Sequence, residues 1–215
     1  MSMVNLGVLV SGGGTNLQAI IDRIEDGYLA GCRIVLVVAS NAKAYAINRA
    51  KAAGIPCVCI AKKKFADPID FDLALVAALK EHGANLVVTA GYLTIFGQAV
   101  IDAFPNRIIN IHPALIPSFC GKGFYGLEPH RRAIEYGVKL TGATTHIVWL
   151  ETDAGPIIMQ KAVAVEEGDT PESLQKRVMA EGEQVILPAT IRLFADNRIS
   201  VEGRRVVIGK ACDTD

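Results

Sequence analysis

An unbroken apolar run, Leu6 to Val10, stops at Ser11-Gly12-Gly13-Gly14 and gives way at Thr15 to a helical pattern. In that pattern Leu17, Ile20, Ile21 and Ile24 share one face, with Asp22, Glu25 and Asp26 on the other. Strand, glycine turn, helix is the reading, and the unit recurs. Ile34 to Ala39 is followed by a helix over Ala44–Ala53 that ends at Gly54-Ile55-Pro56. Val58 and Ile60 mark a third strand, and Phe71, Leu75, Ala78 and Leu79 a helical face closed by His82-Gly83. Leu86 to Ala90 is a fourth strand, and a short helical piece near Gly97 to Ala103 precedes a fifth, Ile108 to Ile111. Strands without polar alternation, separated by amphipathic helices, must have both faces covered. The fold class expected is therefore α/β: a Rossmann-like, mostly parallel twisted sheet with helices on both faces, mixed at its carboxyl-terminal edge.

Beyond the fifth strand, residues 117–129 are rich in glycine and aromatic side chains and read as a loop. Glu128 to Tyr136 reads as a short helix, and Thr144 to Trp149 and Pro156 to Val165 as two more strands. A long helix begins with Thr170 as N-cap and Pro171 at its first position and runs towards Phe194, with a kink expected at Pro188. Ile199–Val201 and Arg205–Ile208, joined by Glu202-Gly203-Arg204, form a terminal hairpin. With no repeat or linker, the expectation is one domain over 1–215: a phosphate-binding half (1–110), then a half (111–215) with the loop, later strands, long helix and hairpin.

Charge excludes some partners. The 22 basic residues balance 22 acidic ones, so neither nucleic acid nor an anionic membrane is expected. The longest apolar runs are strand-length, and Met1-Ser2-Met3-Val4-Asn5 has no basic start of the kind a signal peptide needs. A cytoplasmic protein is expected. Five cysteines, Cys32, Cys57, Cys59, Cys120 and Cys212, are odd in number and lack metal spacing. They read as reduced structural thiols, with Cys120 alone, in the glycine-rich loop, open to a reactive role.

Three stretches can carry chemistry. Consecutive glycines between a strand and a helix let backbone N–H groups approach a phosphate at the positive helix end. The dinucleotide fingerprint fails, because Leu17 stands where a third glycine is needed and Ser40 and Asn41 where an acid is needed. A plain turn, capped by Thr15 and Gln18, is the alternative. The second stretch is Asn110-Ile111-His112-Pro113. Strand geometry points Asn110 and His112 the same way, and Pro113 keeps His112 extended. An amide that can donate to an oxyanion beside an imidazole that can move a proton suits acyl transfer, and direct transfer to an amine is its simplest form. A merely packed histidine is the alternative. Asp153, in Thr152-Asp153-Ala154-Gly155-Pro156, is either a turn former or a carboxylate partner for His112. His82, His130 and His146 form no metal set: His82 caps a helix or is solvated, and the other two read as structural.

Taken together, Ser11 to Ile20, Ala90-Gly91-Tyr92-Leu93, Asn110 to Pro117 and Asp153 to Ile158 make the chain resemble the phosphoribosylglycinamide formyltransferase family over nearly its whole length. The resemblance implies formyl transfer from 10-formyltetrahydrofolate, as cosubstrate and without a metal, to phosphoribosylglycinamide in purine biosynthesis. It implies Asn110, His112 and Asp153 as the catalytic set. Gly14, Thr15, Asn16 and Glu183 would bind the ribonucleotide, and Leu93, Thr94, Ile95, Phe96 and Asn110 the folate. Arginines common in the family at the positions of Thr94 and Pro68 are missing, and Lys62, Lys63 and Lys64 are near enough for one of them to replace the folate-contacting arginine expected at Pro68. The same fold serves methionyl-tRNA formyltransferase and formyltetrahydrofolate deformylase, but 215 residues leave no room for the extra domains those would bring. A homodimer is compatible with all of this.

Overall fold

The computed structural model describes residues 3–210; Cys212 lies outside that range. Five strands form the parallel part of the sheet: β1 (Val4–Val10), β2 (Cys32–Ala39), β3 (Cys57–Cys59), β4 (Leu86–Thr89) and β5 (Ile108–His112). β6 (Leu140–Ile147) and β7 (Ile157–Ala164) extend it antiparallel, giving the order β3-β2-β1-β4-β5-β6-β7. The parallel strands are joined by α1 (Thr15–Glu25), α2 (Ala46–Ala52), α3 (Pro68–Glu81) and α4 (Gln98–Ala103). Later come α5 (Glu128–Tyr136), α6 (Pro171–Arg177), α7 (Gln184–Ala195) and a separate hairpin of β8 (Ile199–Glu202) and β9 (Arg205–Ile208). Among the described residues no helix is long and apolar enough to cross a membrane.

The two faces of the sheet hold separate cores. Leu6, Val8 and Val10 of β1 pack with α1, α2 and the carboxyl-terminal helices, as do Ile109 and Ile111 of β5. Leu9, Val87 and Ile108 pack on the opposite side with Phe71, Leu75 and Leu79 of α3 and Val100 of α4. This period of two leaves Asn110 and His112 on the strand face of Ile108, off the large core and at the strand's carboxyl end.

Strand order fixes where a ligand can go. From β1 the chain runs outward through β2 to β3, then returns to β4 on the other side of β1. The loops leaving β1 and β4 therefore diverge, and the crevice between them is where doubly wound sheets bind ligands. Here that crevice lies between the glycine turn and residues 90–96.

Two expectations need correction. The long helix is not one continuous α-helix. It departs from α geometry in a π-helical segment, Val178–Glu183, and Pro188 sits inside α7, one turn beyond it. Proline withholds a hydrogen bond from the carbonyl of Gln184, and the wider turn that absorbs the mismatch lies just upstream. Gly182 in that turn lets the helix approach β6; a Cβ there would stand 3.1 Å from that of Ala143. The sixth strand covers Leu140–Ile147 rather than Thr144 to Trp149. Its end is set by Gly155, whose backbone sits so close to the Ile147 carbonyl that no side chain fits, and this turns Val148 to Leu150 into a loop.

Candidate active site

A cleft of about 560 Å³ opens above the carboxyl ends of β1, β4 and β5. Its walls include each of the sequence-predicted groups: the glycine turn through Asn16, Leu93 to Phe96, Asn110, His112, Asp153 and Glu183.

At one end the glycine turn is braced from three sides. Ser11 N–H donates to the Gly91 carbonyl (3.1 Å) and Asn41 Nδ2 to the Ser11 carbonyl (2.9 Å). Ser40 and Asn41, which deny the chain a dinucleotide fingerprint, thus serve as struts for this turn. Arg49 of α2 donates to the Gly13 carbonyl (2.9 Å) and to Gln18 Oε1 (3.0 Å) and brings a cation to the turn. The Thr15/Gln18 capping box does not form. Gly14, at φ 73°, is the N-cap and supplies no side chain, while Thr15 Oγ1 turns away to Met179 Sδ at 2.8 Å. The first-turn N–H groups of α1 thus keep no side-chain acceptor, the arrangement that receives an anion. Asn16 Nδ2 donates to buried Glu183 Oε2 at 2.7 Å, and burial raises the Glu183 pKa against that bond. The Asn16 Oδ1 atom is buried without a partner.

At the other end, Leu93 N–H donates to Ser11 Oγ (3.0 Å), and buried Asp72 of α3 accepts from Gly97 N–H (3.2 Å). These bonds hold residues 92–96 as an irregular wall, with Tyr92 stacked on Phe96 and Leu93 and Ile95 facing outward. Lys62 Nζ donates to the Ile95 carbonyl at 3.0 Å, so one of the three lysines is part of this wall.

Between the two ends the structure brings Asn110, His112 and Asp153 together, although 40 residues of chain separate the last two. Asp153, at φ 55°, puts Oδ2 3.6 Å from His112 Nδ1 and Oδ1 3.6 Å from His146 Nε2. Gly121 N–H donates to Asp153 Oδ2 (2.8 Å), and His112 Nε2 donates to the Phe119 carbonyl (2.9 Å). The loop after β5 therefore clamps both side chains. Burial works against the charged form of each. For His112 it wins over the nearby Asp153 and lowers the pKa; for Asp153 it is outweighed by hydrogen bonding, the Gly121 N–H among it, and the carboxyl stays below its usual range. A neutral imidazole beside an ionised carboxylate, with an amide two residues away, can donate to a developing oxyanion and relay a proton.

Sequence reading missed two contributors. His146, taken as structural, is the cross-strand partner of Asn110, with its Nε2 3.1 Å from Asn110 Nδ2. Thr89 of β4 donates to Asn110 Oδ1 at 2.6 Å. Both sit opposite Asn110 in the sheet, and only strand register, which one sequence does not reveal, could have found them. His82 caps α3 through its Ala78 carbonyl bond. Buried His130 borders the cleft with neither ring nitrogen partnered. Cys120 stands in the loop with its pKa raised by burial and by Asp153, which opposes a reactive thiolate.

An α/β sheet with an anion-receiving turn and an amide–imidazole–carboxylate cluster beyond its strand ends defines a group-transfer enzyme of the acyl type. The chain belongs to the formyl transferase family, whose model matches residues 4–191. Among its relatives, the chloroplastic phosphoribosylglycinamide formyltransferase of Arabidopsis thaliana is 42% identical over 178 residues, covering 82% of this chain and 60% of the plant protein. This chain thus spans less than two thirds of that relative's length. The phosphoribosylglycinamide formyltransferase of Escherichia coli (strain K12) is 34% identical over 198 residues, covering 92% of this chain and 90% of the bacterial one. Among solved structures, glycinamide ribonucleotide transformylase 1 from Symbiobacterium toebii superimposes with a TM-score of 0.90 at 45% identity, covering 97% of this chain and 95% of that one.

Proposed function

We propose that this chain transfers the formyl group of 10-formyltetrahydrofolate to the amine of 5-phosphoribosylglycinamide, a step of purine nucleotide biosynthesis, within a single domain and in the cytoplasm. The observation that carries the reading is the placement of Asn110, His112 and Asp153 midway along a cleft with an anion seat at one end and a backbone-lined wall at the other. The ribonucleotide phosphate sits on Gly14, Thr15 and Asn16, with Glu183 accepting from the ribonucleotide. The folate ring lies along Leu93 to Phe96 and reaches Asn110.

The substrate amine attacks the formyl carbon, forming a C–N bond as the carbonyl electrons move onto oxygen. Asn110 Nδ2–H and the His112 imidazole stabilise that oxyanion. The loop carrying Phe119, held at φ 50° in a conformation unusual for a bulky residue, yields the His112 Nε2–H it occupies in this structure. The ammonium proton leaves through water towards Asp153. Collapse of the intermediate breaks the bond to the folate nitrogen, which takes the Nε2 proton of His112 as Asp153 passes the proton it received to His112 Nδ1, so that both groups return to their starting forms. No covalent enzyme intermediate is needed.

The test is to supply 10-formyltetrahydrofolate with and without phosphoribosylglycinamide and to follow release of the folate product. Amine-dependent turnover supports the reading. Turnover without the amine would make the protein a hydrolase, and no turnover in either case would leave a phosphate-binding module.

A further inference from the structure

The amide of Asn110 serves as an oxyanion donor only if its nitrogen, not its oxygen, faces the reacting group, and the structure contains a device that decides this. Asn110 and His146 are direct partners across the antiparallel β5–β6 pair. His146 Nδ1 lies 2.8 Å from the Ile147 carbonyl. A carbonyl can only accept, so Nδ1 carries the hydrogen. In a neutral imidazole Nε2 is then a bare acceptor, and it can only take a hydrogen bond from Asn110 Nδ2, 3.1 Å away. Thr89 fixes the other end, its hydroxyl donating to Asn110 Oδ1 at 2.6 Å. Both ends of the carboxamide are committed, and its second N–H has no protein partner while Asn110 borders the cleft.

We propose that His146 is a positioning residue for formyl transfer: by holding its hydrogen on Nδ1 it forces Asn110 to present N–H to the reacting oxygen. The inference rests on the reading of Asn110 as oxyanion donor given above.

The network also has a second self-consistent setting. If Nε2 gains a proton it can no longer accept from Asn110, and Asp153 Oδ1, 3.6 Å away, is the counter-charge that takes it. Asn110 then turns its oxygen to His146. Its amide donates instead to Thr89 Oγ1, whose hydroxyl hydrogen passes to the Ile109 carbonyl at 3.2 Å. The other titratable group facing Asp153 is His112, whose protonation would compete for the same carboxylate.

Nitrogen-15 NMR of the ligand-free protein near neutral pH tests the tautomer, and turnover of two variants tests its consequence. The expected spectrum shows His146 protonated at Nδ1 alone. His146→Gln, whose side-chain oxygen can still accept from Asn110, should keep kcat within about tenfold of the parent. His146→Phe should lose roughly 100-fold in kcat, the scale of one oxyanion donor, with KM for the ribonucleotide changed less than about threefold. An Nε2–H tautomer, equal losses in the two variants, or parental kcat in His146→Phe would overturn the proposal. The NMR measurement needs no turnover, so it stands even if formyl transfer itself is not observed.

Discussion

At the scale of single residues, the account divides the reaction among side chains whose removal should have different signatures. Asn110→Ala deletes a donor used when charge develops on oxygen, so kcat should fall on the order of 100- to 1000-fold. Steady-state turnover near the parental value would remove Asn110 from that role. Asp153→Asn keeps the shape of the group that spans His112 and His146 but cannot accept a proton. Its kcat should fall at least roughly 100-fold while the ribonucleotide KM stays within a few-fold. A mainly KM effect would make Asp153 a binding residue. His130 supplies a pH prediction. Burial, reinforced by nearby His112, lowers its pKa from an ordinary 6.5 to about 4. Between those values the unfolded chain binds the extra proton, so the stability this group contributes is whole above about pH 6.5 and drains as pH falls towards 4. His112, also lowered, acts in the same direction, whereas Glu183, raised by burial, costs stability as pH rises above 4.5. Urea midpoints of His130→Leu across pH 4 to 7 should show a shallower slope than the parent. An unchanged slope would contradict the assignment. Asn110, His112 and Asp153 could be picked out from letters because each sits in a short local motif. His146 could not, because its role depends on which residue of the neighbouring strand stands opposite it.

Elements carry the next layer. Most were readable, since the glycine turn, the proline-marked start of α6 and the apolar strands all act through nearest neighbours. The Thr170 cap forms as the sequence implied, accepting from Ser173 N–H at 3.2 Å while Ser173 Oγ accepts from the Thr170 N–H at 2.9 Å. Thr170→Ala should cost about 1 kcal/mol in chemical denaturation and leave turnover unchanged. The π-helical turn and the end of β6 were not readable, because each answers to a contact made elsewhere: Gly182 against Ala143, and Gly155 against the Ile147 carbonyl. Gly14 joins both kinds of constraint. It needs the left-handed region at φ 73°, and a Cβ there would stand 2.6 Å from that of Ala46. Gly14→Ala should therefore lower thermal stability by at least the 1 kcal/mol or so that this conformation costs an L residue, and should raise the ribonucleotide KM more than it lowers kcat. A variant with parental stability and parental KM would separate the turn from the anion seat.

For the whole molecule, one topological fact positions everything else. Because β4 returns beside β1, the glycine turn and residues 90–96 flank one crevice, and β5, next in order, delivers Asn110 and His112 into its middle. The antiparallel return of β6 and β7 then brings His146 against Asn110 and carries Asp153 back over His112. The α/β class was legible because apolar runs and amphipathic helices alternate. That the two halves of the chain meet at a single cleft follows from register and crossover, which appear only in the folded chain. The central claim is that this cleft moves a formyl group from folate to a ribonucleotide amine in one direct transfer. The measurement that tests it most directly is a mass-resolved product count with formyl-labelled 10-formyltetrahydrofolate and phosphoribosylglycinamide. The account predicts one labelled formyl-ribonucleotide for each tetrahydrofolate released and no label on the protein. Labelled formate in its place, or label retained on the chain, would contradict it.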